Sequence, residues 1–213
     1  MIADSEDNLQ KSVHKLQLTA DKYGLKISST KTKTMAFKGR NPVRSKIVIN
    51  NDIIEQINTF NYLGCSISYQ NETDITNKTT KFLQIIGIIN KTFKPSQVQK
   101  HTRLKIYNTL AIPTLLYGCE TWAIRRKDES RITAAEMKFL RRTAKYTWQD
   151  HKRNEDILTE LKVVPALEKI YDYRNKWSQH VDRMTRSRLP NLIVQYKPRG
   201  VRNQGRPLRR ILD

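Results

Sequence analysis

The spacing of apolar positions changes period near residue 68. Before it, one helical stripe gives way to short strand-like runs. Leu9, Val13, Leu16 and Ala20 recur at the spacing of a helix face, and Tyr23 continues the stripe. Asp4 or Ser5 can cap this helix, the acids Asp4, Glu6 and Asp7 suit the positive end of its dipole, and Gly24 stands where a C-terminal cap belongs. Asp4 and Asp7 also share a face, but no further metal ligand accompanies them, so capping is the better reading. Residues 25–28 and 34–37 then read as short strands around a Lys31/Lys33 turn, with a loop at Gly39-Arg40-Asn41-Pro42. Residues 46–49 and 52–55, joined by Asn50-Asn51, read as a β-hairpin. Residues 60–68 read as a strand with Gly64 inside it, the mark of a bulge or a close backbone approach.

After a polar loop at 69–73 the period becomes helical. The pattern predicts a helix over 74–93 with Phe82, Ile85, Ile86 and Ile89 inward, ended by Pro95. A second helix is expected from a Ser96 cap, with Val98, Leu104, Tyr107 and Leu110 as its stripe, kinking or stopping at Pro113. A long helix follows over 129–146, with Ile132, Met137, Leu140 and Ala144 buried. Asn154 can cap a short helix through Leu161. Pro165 fits the first turn of a last helix striped by Leu167, Ile170, Tyr173, Trp177 and Val181. Trp122 reads as a core anchor. The fold class expected is α+β: a small antiparallel β-sheet followed by a mostly α-helical region and a basic tail.

Composition narrows the chemistry. The 213 residues carry a formal net charge of +20, which favours a polyanionic partner and says nothing about fold. Lys78, Lys81, Lys91, Lys94, Lys100, Arg103 and Lys105 decorate the two helices after residue 74, and Arg141, Arg142 and Lys145 the long helix. Either these are ordinary solvated faces or they track a nucleic-acid backbone; with so few acids between Phe82 and Ala111 the second is preferred. Residues 183–210 hold nine Lys or Arg and no Asp or Glu, and Gly200, Asn203, Gly205 and Pro207 break the segment into loop. Within it Arg199, Arg202, Arg206, Arg209 and Arg210 are candidate phosphate contacts, backbone-driven and without sequence reading.

Other classes lose ground. Cys65 and Cys119 make neither a disulfide framework nor a metal spacing, which fits a reducing compartment. His14, His101, His151 and His180 are scattered, and no phosphate-cradling glycine loop or nucleophile elbow occurs. No run approaches a membrane span and no signal peptide is evident, so the expectation is an intracellular protein of nucleus or cytoplasm, not secreted and without membrane partners.

Four motifs in order give the chain a resemblance. Leu25-Lys26-Ile27-Ser28-Ser29-Thr30-Lys31-Thr32-Lys33-Thr34-Met35 resembles L-x-x-N-x-x-K-T-x-x-M, with Ser28 where Asn is common. Phe60-Asn61-Tyr62-Leu63-Gly64 resembles a "YLG" segment. Leu116-Tyr117-Gly118-Cys119-Glu120-Thr121-Trp122 resembles "YGxExW", and 205–213 resembles "GRPxxRWxD". All four belong to the reverse transcriptases of non-LTR, LINE-like retrotransposons, and together they span nearly the whole chain. The resemblance implies the end of a polymerase palm with primer grip over 1–70, a helical thumb over 71–182 and a basic tail over 183–213. It implies that Tyr62, Leu63 and Gly64 position the primer end. It also implies that Lys31 lies near the incoming nucleotide's phosphates, as a charge clamp or as the acid that protonates pyrophosphate. The partners implied are RNA and DNA as a primer–template duplex, and the missing N-terminal polymerase portion. In that family two magnesium ions are held by aspartates, with the key pair in an "[FY]-A-D-D" hairpin expected just before residue 1. Ala3-Asp4 is not that motif, so no metal ligand and no cofactor is expected in this chain; Mg2+ belongs to the full-length parent enzyme.

Overall fold

Helix α1 (Glu6–Lys22) starts at a Ser5 cap whose Oγ accepts the Asn8 N–H at 3.3 Å. Gly24, at φ +69°, closes it: its N–H reaches the Asp21 carbonyl, and the Leu25 N–H reaches the Ala20 carbonyl. The computed structural model describes residues 1–37, 43–68 and 72–195, and the chain divides into two units, Met1–Gln70 and Asn71–Asp213.

In the first unit α1 lies against β1 (Val48–Ile49), which pairs antiparallel with β2 (Asp52–Ile53). Asn50 and Asn51 both sit at positive φ, 51° and 66°, the two left-handed residues that a type I′ hairpin needs. Among the described residues the outer edge of β1 has no neighbouring strand; Gln10 takes that place, its amide donating to the Val48 carbonyl at 2.9 Å and accepting the Val48 N–H at 2.8 Å. Glu6 likewise accepts the Lys46 N–H at 2.8 Å. Val13, Ile47, Ile49 and Ile54 form the buried centre, while Leu16 and Tyr23 of the predicted stripe are exposed.

Two expectations for this unit need correction. Residues 25–28 and 34–37 are not strands; Thr34 makes an isolated parallel bridge to Gln56, and 28–32 close a turn through the Thr32 N–H and Ser28 carbonyl at 3.0 Å. Residues 60–68 are not one strand interrupted by glycine. They form a second hairpin, β3 (Thr59–Tyr62) and β4 (Cys65–Ser68), with Leu63 (φ 49°) and Gly64 (φ 77°) as its turn. The α+β class therefore holds with two separate two-stranded antiparallel sheets.

The second unit is helical. It consists of α2 (Glu72–Thr92), α3 (Lys100–Ile106), α4 (Ile112–Leu116), α5 (Arg126–Ala144), α6 (Asn154–Leu161), α7 (Ala166–Asp182) and α8 (Leu189–Gln195). α3 starts after Gln99, not at a Ser96 cap, because residues 95–97 are taken up by a turn onto the Lys94 carbonyl. Between α3 and α4 lies a π-helical turn (Tyr107–Ala111), where the Ile112 N–H bonds back to the Tyr107 carbonyl. Pro113 follows at once. A proline cannot donate and crowds the carbonyl four residues before it, and the wider turn absorbs both faults without ending the rod. It also shifts the helical phase and leaves Leu110 of the predicted stripe exposed. At its far end Arg153, not Asn154, is the residue before the first turn of α6, and Asp156 accepts its N–H at 3.4 Å.

The core runs through α2, the π turn, α4, α5, α6 and α7, with Tyr107 stacked on Phe139 at 4.8 Å between centroids. Trp122 is 3% exposed and its indole donates to Asp74 at 2.8 Å, the core role expected for it. Glu136 is buried as well. It accepts the Tyr107 hydroxyl at 2.7 Å and the Ala166 N–H at 3.0 Å, so it caps the first turn of α7; burial pushes its carboxyl above the ordinary glutamate range. Residues 189–195, expected as loop, form α8, pinned by buried Asn191, whose amide donates to the Val181 carbonyl at 3.4 Å and the Met184 carbonyl at 3.1 Å.

Candidate nucleic-acid interface

The helical unit sorts its cations into two kinds. Lys78 and Arg103, expected on a phosphate track, are inside. Lys78 is 4% exposed; its ammonium donates to the Tyr117 carbonyl, lies over the Tyr117 ring and stands 3.6 Å from Asp74. Arg103 is fully buried. Its guanidinium donates to the Phe93 carbonyl, to Asn90 at 2.7 Å and to Thr143 at 3.1 Å, and it lies 5.1 Å from the centre of the Phe139 ring. Burial, and then the charge of Arg142, hold its pKa below the usual arginine value. Both residues tie helices together, because a buried cation is retained only where acceptors surround it. Neither can reach a phosphate.

The remaining candidates are at the surface. Lys81, Lys105 and Lys145 are exposed. Lys100 pairs with Glu160 at 3.0 Å, and Arg141 donates to Asn154 at 2.6 Å. Lys91 and Lys94, at the end of α2 and just past it, face Arg142 of α5 across a recess of about 370 Å³. Gly87, Asn90 and Lys138 complete its lining, and no carboxylate is among the described residues there. Lys138 was missed by the sequence reading. The available signal was its spacing: residues 138 and 142 are one helical turn apart on α5 and share a face. Four cations around a shallow recess, with no acid to neutralise them, make a surface suited to phosphate oxygens.

In the first unit Lys31 is exposed in the 28–32 turn, and its N–H reaches the Ser28 hydroxyl at 3.4 Å. Lys33 is paired with Glu55. Tyr62 and Leu63 are 55% and 72% exposed at the tip of the β3–β4 hairpin, with Gly64 beside them and Phe60 stacked on Tyr62 at 6.3 Å. Arg199, Arg202, Arg206, Arg209 and Arg210 lie outside the described residues. Among the described residues no three His, Cys, Asp or Glu side chains gather as a metal site. No described helix is long and apolar enough to cross a membrane.

Comparison with known proteins bears on origin. The chain is 23% identical over 209 residues to a transposon-derived protein of Caenorhabditis elegans, covering 93% of this chain and 74% of that protein. It is 23% identical over 223 residues to a Drosophila melanogaster protein named "Probable RNA-directed DNA polymerase from transposon X-element", covering 98% of this chain. The chain is retroelement-derived. This retroelement-derived chain spans 24% of the length of the Drosophila protein. No family model matches it, and no solved structure matches it.

Proposed function

We propose that the chain is the end of the palm, the primer grip and the helical thumb of a non-LTR retrotransposon reverse transcriptase, and that it holds primer–template nucleic acid by its phosphates. The observation that carries the binding is the recess of Lys91, Lys94, Lys138 and Arg142, four exposed cations with no carboxylate in the lining. Lys81, Lys105 and Lys145 are further exposed cations of the helical unit, and the arginines after residue 196 add sequence-independent charge. The exposed Tyr62-Leu63-Gly64 turn positions the primer end, and Lys31 faces the nucleotide's phosphates. The aspartates that hold the catalytic magnesium in such enzymes belong to polymerase sequence outside these residues, so the chain alone binds without extending a primer.

Fluorescence anisotropy of a labelled RNA–DNA duplex across a salt series tests this reading. Affinity should fall steeply with salt. Exchanging all four recess cations for glutamine should weaken binding at low salt and flatten the log–log salt slope by roughly one for each phosphate no longer neutralised. Salt-independent binding, or a quadruple variant equal to the parent, would overturn it. The chain covers 74% of the C. elegans transposon-derived protein, and a second reading is a stand-alone non-catalytic nucleic-acid-binding module or a non-functional retroelement relic. Failure to bind any duplex would leave only the relic, and primer extension with magnesium by the 213-residue chain would overturn every one of these readings.

A further inference from the structure

The loop between α5 and α6 carries a feature that the phosphate recess does not explain. Trp148 is 80% exposed, whereas Trp122 is 3% exposed and Trp177 half-buried. A large aromatic ring left in water forgoes the burial that ordinarily fixes it. The backbone beneath it is nevertheless tightly held. Trp148 opens a short 3₁₀ turn (Trp148–Asp150), capped by Thr147, whose N–H and hydroxyl donate to Asp150 at 2.6 and 2.8 Å. Lys145 and His151, at φ 66° and 45°, turn the chain on either side of it. Tyr146 anchors the start of the loop through its N–H to the Arg141 carbonyl at 2.9 Å and its hydroxyl to Glu160 at 2.7 Å. The ring is thus presented on a stiff mount.

The loop around it supplies cations. Lys145, Lys152 and Arg153 belong to the same loop, and Lys152 stands 5.8 Å from the centre of the Tyr146 ring. Carboxylates stand close as well: Asp150 accepts from Thr147, Asp156 from the Arg153 N–H, and Glu160 from Tyr146 and Lys100. A rigid exposed indole flanked by cations matches the chemistry of an unpaired nucleotide, whose base offers a π-face and whose phosphates seek positive charge. A duplex does not offer it, because its base faces are covered by their neighbours.

We propose that residues 145–153 form a stacking platform for single-stranded nucleic acid, with Trp148 as the ring on which one base lies. This rests on the reading above that the chain binds nucleic acid, and it adds a preference for unpaired strand at a defined place. Preorganisation of the loop lowers the ordering cost of binding.

The test uses the full 213-residue chain and fluorescein-labelled oligo(dT), oligo(rU) and a fully paired dumbbell DNA duplex whose two ends are closed by ethylene-glycol linkers in place of nucleotide loops, titrated by anisotropy. Trp148→Ala should weaken binding of the single strands by on the order of tenfold, leave dumbbell affinity and salt slope unchanged, and leave the circular dichroism spectrum intact. Trp148→Phe should recover most of the loss. Loss on oligo(dT) and oligo(rU) alike supports stacking blind to the kind of strand, and loss on only one supports the platform with a preference for that strand. Single-strand binding unchanged in Trp148→Ala, or weakened equally with the dumbbell, would overturn the platform while leaving nucleic-acid binding in place. Failure of the parent chain to bind any of the three probes would overturn both.

Discussion

The two units differ first in what they bury. The first encloses four apolar side chains and, among its described residues, one buried polar one, Thr34. The second encloses a continuous apolar core and, inside or beside it, Lys78, Arg103 and Glu136, each with hydrogen-bond partners. The first satisfies a strand edge with side chains, Gln10 and Glu6 bonding the backbone at Val48 and Lys46. The second satisfies buried polar groups with partners far along the chain, Arg103 with Thr143 and Lys78 with Tyr117. A small sheet with a thin core depends on its edges. A helical core large enough to swallow charged groups depends on its interior.

The largest way to break this contrast is at Arg103. Arg103→Met keeps much of the volume but leaves the Phe93 carbonyl, Asn90 and Thr143 without their donor. Each orphaned acceptor costs roughly 1–3 kcal/mol, partly offset because the buried guanidinium no longer has to be desolvated, so a loss of about 3–5 kcal/mol is expected in urea unfolding followed by the helical circular dichroism signal. An unchanged midpoint would show that the apolar core alone holds α2, α3 and α5 together.

Next in size is Ile49, buried at the centre of the first unit. Ile49→Ala should cost about 2–4 kcal/mol. In a core of four that loss should be felt locally: hydrogen exchange should strip protection from the amides of 47–54 while those of α5 keep theirs. Simultaneous loss of protection in both would mean the units unfold as one and the contrast is only geometric.

These residues also show what the sequence could reveal. α1, α2, α5 and α7 were legible because a 3.6-residue stripe coincides with caps such as Ser5 and Pro165. The Asn50-Asn51 hairpin was legible because asparagine tolerates positive φ. The Leu63-Gly64 turn was not, since leucine gives no sign that it will adopt φ 49°. The π turn was not, because its phase shift is visible only once Leu110 is seen exposed. At the candidate site, Lys91, Lys94 and Arg142 were found by counting charge, and the same counting misplaced Lys78 and Arg103. Lys78 finds its acceptor 39 residues away, and its i−4 partner Asp74 would equally suit an exposed helical ion pair, so neither marks burial in the sequence. Charge patterning identifies a basic helix and leaves its inward cations hidden.

The smallest effect sharpens the contrast by pH. Glu136 is buried, accepts the Tyr107 hydroxyl and the Ala166 N–H, and has Lys169 as the nearby opposite charge. Desolvation raises its pKa above the ordinary 4.5, and the two hydrogen bonds and Lys169 only partly oppose it. A carboxyl with a raised folded-state pKa favours the folded state when protonated. Its contribution is therefore full below about 4.5 and is lost as pH climbs through the raised value. Lys169 is itself shifted down, chiefly by burial, from 10.5. Glu136→Gln keeps an oxygen to cap α7 and removes the titration. Urea midpoints of the parent, measured from acid to neutral pH, should fall relative to those of the glutamine variant as pH rises above 4.5 and then run parallel. The difference should appear in the helical signal and be absent from amides 47–54, because the described residues of the first unit bury no ionisable group. Parallel curves over the whole range would show that Glu136 titrates as an ordinary glutamate and that the second unit bears its buried charge without a pH-dependent cost.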